Sequence, residues 1–562
     1  MIASTAKPNR APVCFWLLAF VLVAYVAACT GQRDNKWGAD AWEHHRAVLA
    51  LTRHLWKPGN PTYASDVPSV RYSPYALTWA LVARATGISA YSALSAAAVV
   101  NTILLVLGVW LLLGAFGERA GAAAVLIVMV SLYGGAPGYA NSYALADLPW
   151  HQVNPSAFSF ALTLAAWSIF RRIGFHPAGA RRGLGWMAVT ILAAVAMLDH
   201  PMTGTFAVIG LFVIAMIAPA AVRWRMIAMA SAATVCVALL CLAWPWYSFL
   251  AALTWRQDRA YWFNRAVLRL TLTQWTAPAM LCGLFAIPLR DRPLVRTCLA
   301  GAVIAVAAGL YAVVARSPVP ARFPLPGLIY LHLAIGVFVH ETGILRPSTW
   351  PARLRAVTGA ASEAAQPLLQ IVVAAMLVYC LVPQLISIAA EPHLGRVYVA
   401  KILGRKDRQQ RLRQELAELL RRVGENDVVL SDPQTSWLIP SVRGRIVAAI
   451  HYELFIPDQP QRMSDVENFF SADSTPSRRI ELVKRYHVNW IVLDRRMIDP
   501  HVFDALLRPR AVIAQVGDFV LMDVKRWLTS DPQDFNRDEK VDATDQLITR
   551  YSVGNTLLDI NV

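Results

Sequence analysis

Apolar residues do not alternate along residues 12–390 of this chain; they run. Runs at 12–29, 93–115, 121–140, 155–170, 185–199, 203–219, 227–248, 276–289, 298–315, 324–339 and 367–390 are rich in Ala, Val, Leu, Ile and Phe. About twenty such residues in a helix cross a hydrocarbon core of ~30 Å. The pattern predicts about eleven transmembrane helices, with 155–170 and 276–289 the shortest. Basic residues in the short loops set an orientation. With Lys7 and Arg10 in the cytoplasm, the inside loops hold Arg119, Arg171, Arg172, Arg181, Arg182, Arg223, Arg225, Arg290, Arg292, Arg296, Arg346, Arg353 and Arg355. The outside connections at 141–154 and 200–202 hold no Lys or Arg. The outside loop at 249–275 breaks the rule with Arg256, Arg259, Arg265 and Arg269, as a loop that meets a ligand anion or snorkels at the interface would. An odd number of spans places residues 391–562 outside.

Beyond residue 390 the period changes. Residues 396–423 read as a long charged helix. Short β-branched runs at Val428–Leu430, Ile446–Ile450, Trp490–Leu493 and Phe519–Val524 then alternate with helical patterns at 462–470 and 477–487. That alternation predicts a small α/β domain. The expected fold class is therefore a polytopic α-helical membrane protein with a C-terminal extracytoplasmic α/β domain. Its parts are a transmembrane domain at 1–390 (with interfacial helices in a first outer loop at 30–92), an α/β domain with its leading charged helix at 391–525, and a tail at 526–562. No repeat of 20–50 residues is present.

Composition agrees with the membrane reading. Of 562 residues, 56% are hydrophobic and only 16% charged, and mean hydropathy is +0.42. The net charge of +17 suggests a nucleic-acid binder, but much of the excess is Arg in loops where topology explains it. No platform of interleaved aromatic and basic residues appears, so nucleic acid is not an expected partner. All seven cysteines lie in apolar runs, with no zinc spacing and no disulfide framework. Val26-Ala27-Ala28-Cys29 has the form of a lipoprotein cleavage box, but small residues commonly end a span, and an uncleaved signal-anchor is the expected reading.

Titratable residues gather just past the first span. In Trp37–Leu81, a helix places Asp40, Glu43 and His44 at i, i+3 and i+4, on one face. A charged cluster beside a bilayer, on a chain that otherwise avoids charge, marks a functional-site candidate. A carboxylate held near a low-dielectric boundary is suited to accept a proton from a hydroxyl. The bland alternative for Asp40 is a cap on an interfacial helix. His44 and His45 with Asp40 or Glu43 also offer ligands for a divalent metal at the active site, although single-digit spacing alone is a weak signal. Tyr72-Ser73-Pro74-Tyr75 leads into an amphipathic stretch at 76–85 that suits lying in the interface.

From these residues the chain resembles the GT-C superfamily of membrane glycosyltransferases, in particular the lipid A aminoarabinose transferases and protein O-mannosyltransferases. The match is Asp40, then Arg71-Tyr72-Ser73-Pro74-Tyr75-Ala76-Leu77, then Gly87-Ile88-Ser89 before the span starting near Leu94. The resemblance covers about residues 12–390 in layout, with its motifs confined to about 37–90. It implies a sugar donor on a polyprenyl phosphate, used outside the cytoplasmic (inner) membrane with inversion at the anomeric carbon, and Asp40 as the catalytic acidic residue. Ala41 stands where many members carry a second adjacent acid, so Glu43 is the nearest candidate for that role. The resemblance further suggests an acidic residue in the next outer loop, where Asp147 sits; a buried or capping Asp is the alternative. His200-Pro201 follows Asp199 at the outer end of a span and either lines the cavity or ends the helix. A departing phosphate needs a cation, and Arg suits it. Arg322 and Arg316 lie on an otherwise apolar outer turn, and Arg265 and Arg269 follow; interfacial anchoring is their bland reading. His44, Tyr72, Tyr75, His151 and His200 are the expected cavity residues.

The tail carries Asp534, Asn536, Asp538, Asp542 and Asp545 at positions 1, 3, 5, 9 and 12 of a loop, with Lys540 offering its carbonyl at position 7. This is the ligand spacing of an EF-hand-type Ca²⁺ loop and resembles a single dockerin-type repeat, with Glu539 in place of the usual Gly. The expected function is transfer of a hexosyl or pentosyl group from a polyprenyl-phosphate donor to an acceptor hydroxyl on a glycan, lipid or protein. The alternatives are a transporter or flippase for a lipid-linked or envelope glycan, which calls for charge at the bilayer midplane and matched halves, and a non-catalytic scaffold.

Overall fold

A computed structural model describes residues 11–30, 39–133, 143–175, 179–254, 277–315, 323–345, 361–390, 408–449 and 453–530. The chain forms two compact units. The first comprises 1–41 and 73–404; the second comprises 42–72 and 405–562. Residues 42–72 of the first outer loop, read from sequence as part of the membrane domain, thus group with the C-terminal part of the chain.

The helices of the first unit follow the apolar runs. They are α1 (Ala11–Thr30), the start of α2 (Ala39–Arg53), α3 (Pro74–Thr86), α4 (Ala90–Phe116), α5 (Ala122–Ser131), the short α6 (Leu148–His151) and α7 (Pro155–Phe175). Next come α8 (Ala180–Asp199), α9 (Pro201–Ile217), α10 (Ala220–Leu242), α11 (Phe249–Thr254) and α12 (Ala277–Leu284). The unit closes with α13 (Pro293–Ala315), α14 (Pro324–Thr342) and α15 (Ala361–Ala390). Each expected span overlaps a described helix; residues 134–140 of the span expected at 121–140 lie outside the described residues. Seven of these helices, α1, α4, α8, α10, α13, α14 and α15, are long and apolar enough to cross a membrane. The helices at the other four, α5, α7, α9 and α12, are shorter or more polar. In α7 the hydroxyls turn back on the helix: Ser159 donates to the Pro155 carbonyl at 2.9 Å and Thr163 to that of Ser159 at 2.8 Å. Ser168 instead donates to the Leu111 carbonyl of α4 at 2.8 Å. Polar residues on buried helices are thereby satisfied without water.

Close helix approach depends on particular glycines. A Cβ on Gly204 of α9 would lie 2.2 Å from the Met197 Cα of α8, and one on Gly336 of α14 would lie 2.5 Å from the Val125 Cα of α5. Backbone atoms cannot swing aside as a side-chain tip does. Gly204→Val is expected to destabilise the bundle by about 1–3 kcal/mol, lowering the melting temperature of the purified protein. Gly183→Val in α8, where nothing lies within 4 Å, should leave it unchanged.

The second unit is built on a five-stranded sheet of order β2-β1-β3-β5-β4. Its strands are β1 (Val428–Leu430), β2 (Arg445–Ile446), β3 (Trp490–Asp494), β4 (Val512–Val516) and β5 (Phe519–Asp523). Strands β2, β1 and β3 are parallel, and β5 runs antiparallel to both β3 and β4. Helices α16 (Arg408–Leu419), α17 (Pro433–Ser436), α18 (Gln459–Phe469), α19 (Pro476–Arg485), α20 (Pro500–Leu506) and α21 (Val524–Thr529) complete it. Phe469, Ile491, Leu493, Met522 and Trp527 form its core. Strand β4 is the strand absent from the sequence reading, a half-buried edge strand without a strong alternation, and the short helices α17, α20 and α21 were not foreseen either. The first outer loop extends the opposite edge. Ile446 donates to the Thr62 carbonyl at 2.9 Å and Ala64 donates to that of Ile446 at 3.3 Å, which places Tyr63 beside β2.

Helices α18 and α19 are tied through Asp465, which is 1% exposed and accepts from Gln461, Arg478, Arg485 and Tyr486 at 2.7–3.1 Å. Burial alone would raise its pKa, but the bonds from Tyr486, Gln461 and Arg485 hold it below the usual carboxylate value. A depressed folded pKa gives stability that is full above the unfolded value of ~3.9 and is lost as pH falls through the folded one. Asp465→Asn is expected to lose about 2–3 kcal/mol at pH 7, and its deficit in melting temperature should shrink below pH 4.

Candidate active site

Helix α2 begins at Ala39, so Asp40 is its second residue; the Asp40 side chain lies outside those described. From Ala41 the helix is enclosed: Glu43 is 4% and Arg46 1% exposed, with His44 and His45 also buried. Within the second unit Glu43 pairs with Arg71, which also lies 3.8 Å from Glu453. The Ser69 hydroxyl donates to the same Glu453. Burial raises the Glu453 pKa, against the opposing pull of Arg71, Ser69 and Arg46. Arg46 lies 5.0 Å from the Trp437 ring centroid, and burial lowers its pKa to about 10. Arg53 closes the far end of α2 on Glu425 at 3.2 Å. The structure therefore gives Glu43 a cationic partner, as part of a buried network that sequence reading did not assemble. Arg46 and Glu453 are its missed members; both sit in short, otherwise ordinary stretches, and 407 residues separate them. Among the described residues, no three His, Cys, Asp or Glu side chains gather as a metal set would.

The Tyr72-Ser73-Pro74-Tyr75 motif is a crossing and a cap. Tyr72, in the second unit, donates its hydroxyl to the Gly59 carbonyl at 2.7 Å. Ser73 caps α3 by accepting from the Ala76 N–H, and Pro74 supplies the first-turn residue that needs no donor. Tyr75, in the first unit, donates its hydroxyl to the Val153 carbonyl at 2.6 Å, and its backbone N–H meets Asp199 Oδ1 at 2.6 Å. Burial raises the Tyr75 pKa far above its ordinary value, so the hydroxyl stays protonated and donates.

Residues 143–154 form the buried polar segment of the first unit. Tyr143 N–H bonds to Tyr133 Oη at 3.0 Å. Gln384 accepts from the Ala146 N–H at 3.3 Å and donates to the Ser131 carbonyl at 3.0 Å. Asp147 occupies the N-cap position of α6 yet its side chain makes no capping bond, and both it and His151 are more than nine-tenths buried. Asn101, in mid-α4, donates to the Gln152 carbonyl at 2.7 Å. His200 accepts from the Thr203 N–H and caps α9. Sequence reading missed Asn101 and Gln152; the available signal was a neutral amide within or beside an apolar run. Arg265, Arg269, Arg316 and Arg322, expected at the donor phosphate, and Asp534, Asn536, Asp538, Lys540 and Asp545, expected at calcium, lie outside the described residues.

No family model and no curated protein matches this chain. Among solved structures, apo ArnT from Cupriavidus metallidurans aligns with 90% of this chain and 97% of its own at 15% identity, with a TM-score of 0.49. The apo oligosaccharyltransferase of Archaeoglobus fulgidus aligns with 86% of this chain and 70% of its own at 12% identity and a TM-score of 0.48. The AglB oligosaccharyltransferase of that organism, in complex with an inhibitory peptide and a dolichol-phosphate, aligns with 90% and 74% at 14% identity and 0.47. At these TM-scores and identities the likeness carries no argument, and the chemistry of the chain rests on its own residues.

Proposed function

We propose that the protein is an inverting glycosyltransferase that moves a sugar from a polyprenyl-phosphate carrier to a hydroxyl outside the cytoplasmic membrane. The observation that supports this reading most is the enclosure of Asp147 and His151 beside Gln152 in a unit that contains seven membrane-length helices among the described residues. Ionisable groups in such surroundings are expensive and are kept for chemistry. Asp40, on the helix that follows the first span, takes the proton from the acceptor hydroxyl. The acceptor oxygen forms its bond to the anomeric carbon as the bond from that carbon to the phosphate oxygen breaks. A single displacement from the opposite face inverts the configuration. Arg322, with Arg316, Arg265 or Arg269, balances the charge on the departing polyprenyl phosphate. Asp147 serves the same site as the second acid. In this reading the N-terminus lies in the cytoplasm and the α/β domain outside, where the acceptor is met; the basic residues of the short loops support that orientation.

Purified protein in lipid nanodiscs, offered a panel of polyprenyl-phosphate sugars with hydroxylated acceptors, is expected to consume at least one donor and release polyprenyl phosphate. A full panel left intact overturns the reading.

A further inference from the structure

The buried polar groups of the first unit fall into two kinds. Most are satisfied. Thr102, Ser159, Thr163 and Ser168 each donate to a carbonyl, and the Gln384 amide uses both its oxygen and its nitrogen. Gln152 is the opposite case. It has no exposed surface, and neither its Nε2 nor its Oε1 has a hydrogen-bond partner. Asn154 is 3% exposed and directly precedes α7, where an Asn ordinarily caps, yet its Oδ1 bonds to nothing. Asn101 Oδ1 and Asp199 Oδ2 are likewise buried without partners.

These four residues belong to one assembly. Asn101 Nδ2 donates to the Gln152 carbonyl at 2.7 Å and lies 3.5 Å from the Tyr75 hydroxyl. The Tyr75 hydroxyl donates to the Val153 carbonyl, and its backbone N–H donates to Asp199 Oδ1. The residues come from α3, α4, the segment before α7 and the end of α8, all within one unit. Leaving several buried amides unpaired is costly, and an apolar side chain at each position would remove that cost. Their retention in such a place points to a ligand that supplies the missing bonds.

We propose that Gln152 and Asn154, with Asn101 and Asp199, form a subsite that reads hydroxyl groups of the transferred sugar. This rests on the glycosyl-transfer reading above and adds to it residues that bind rather than react. The chemistry selects the ligand class. An amide offers an acceptor oxygen and two donors, which match neighbouring hydroxyls that each give and take a hydrogen bond. A phosphate would instead call for cations, and a prenyl chain for no polar group. Because the groups are enclosed, engaging them requires the 143–154 segment to shift as the sugar enters.

Gln152→Met keeps the length of the side chain and removes the amide. In the full-length protein in nanodiscs, the melting temperature is expected to stay level or rise, because a desolvated amide is gone. Wild-type protein should bind the preferred polyprenyl-phosphate sugar more tightly than bare polyprenyl phosphate. The variant should lose about tenfold of that increment while binding the bare carrier as before, and KM should rise more than kcat falls. Asn154→Leu gives the same readout independently. Sugar-dependent turnover and binding that are unchanged in both variants, or a lowered melting temperature with the increment intact, overturn this proposal alone. A wild type that shows neither sugar-dependent binding nor turnover with any donor overturns this proposal together with the transferase reading.

Discussion

Asp40→Asn is expected to slow sugar transfer by about 10²–10⁴-fold, the range over which a positioned general base contributes. Asparagine keeps the size of the side chain and the polarity of the helix start but cannot accept the acceptor proton. The donor should still bind, because donor recognition is assigned to the arginines and the amide subsite. Loss is therefore expected in kcat with KM for the donor little changed. The wild-type rate should fall in acid as the base is protonated, and the residual rate of the variant should not follow that profile. Single-turnover release of polyprenyl phosphate measures both. A variant that keeps the full rate shows that the proton leaves by another route. Asp147→Asn is then the comparison of interest, since Asp147 is a buried acid of the same unit and makes no cap bond of its own.

The membrane half was legible because lipid imposes a single requirement over long stretches, and α1, α4 and α10 follow from apolar length alone. The parallel strands β1 and β3 were legible for a related reason: both faces are covered, so they read as unbroken β-branched runs. The association of residues 42–72 with the C-terminal sheet was not legible. It depends on Tyr63 meeting Ile446 and on Arg71 meeting Glu453, each across more than 380 residues of chain. No local period reports such a pairing. The motif around Tyr72 and Tyr75 was found from its residues, but the division of its two tyrosines between units was not, since adjacent positions of a turn carry no sign of which partner each will take. Gln152 escaped notice because a lone amide next to a His and an Asn looks like ordinary loop chemistry until its burial and lack of partners are known.

Arg71→Met should be the most damaging single change in the second unit. Arg71 is the cation of both Glu43 and Glu453, each 4% exposed, and methionine keeps its bulk without the charge. Removing one partner of a buried ion pair typically destabilises by about 3–5 kcal/mol, because the remaining charge stays desolvated. Arg46 replaces it only in part: it exerts a weaker pull on Glu453, but its Nε and Nη2 make no hydrogen bond and its guanidinium lies over the Trp437 ring. The variant carries a distinctive pH signature. Without the cation, burial raises the folded pKa of Glu453 further, so the native state takes up a proton before the unfolded one does. A carboxyl with a raised folded pKa lends more stability as pH falls through that value, and the gain levels off below the unfolded value of ~4.3. The melting-temperature deficit of Arg71→Met should therefore be greatest at neutral pH and narrow toward pH 5. Adding Glu43→Gln and Glu453→Gln should recover most of it at pH 7, since neutral amides tolerate burial better than bare carboxylates. A deficit that is independent of pH and unmoved by the two amides would instead mean that Arg71 acts through its hydrocarbon stem alone. Asp40 lies three residues before Glu43 on one helix, so the same comparison tests whether holding α2 at Glu43 matters to transfer. If it does, the variant at a temperature where it stays folded should lose kcat, and the two amide substitutions should restore stability without restoring the rate.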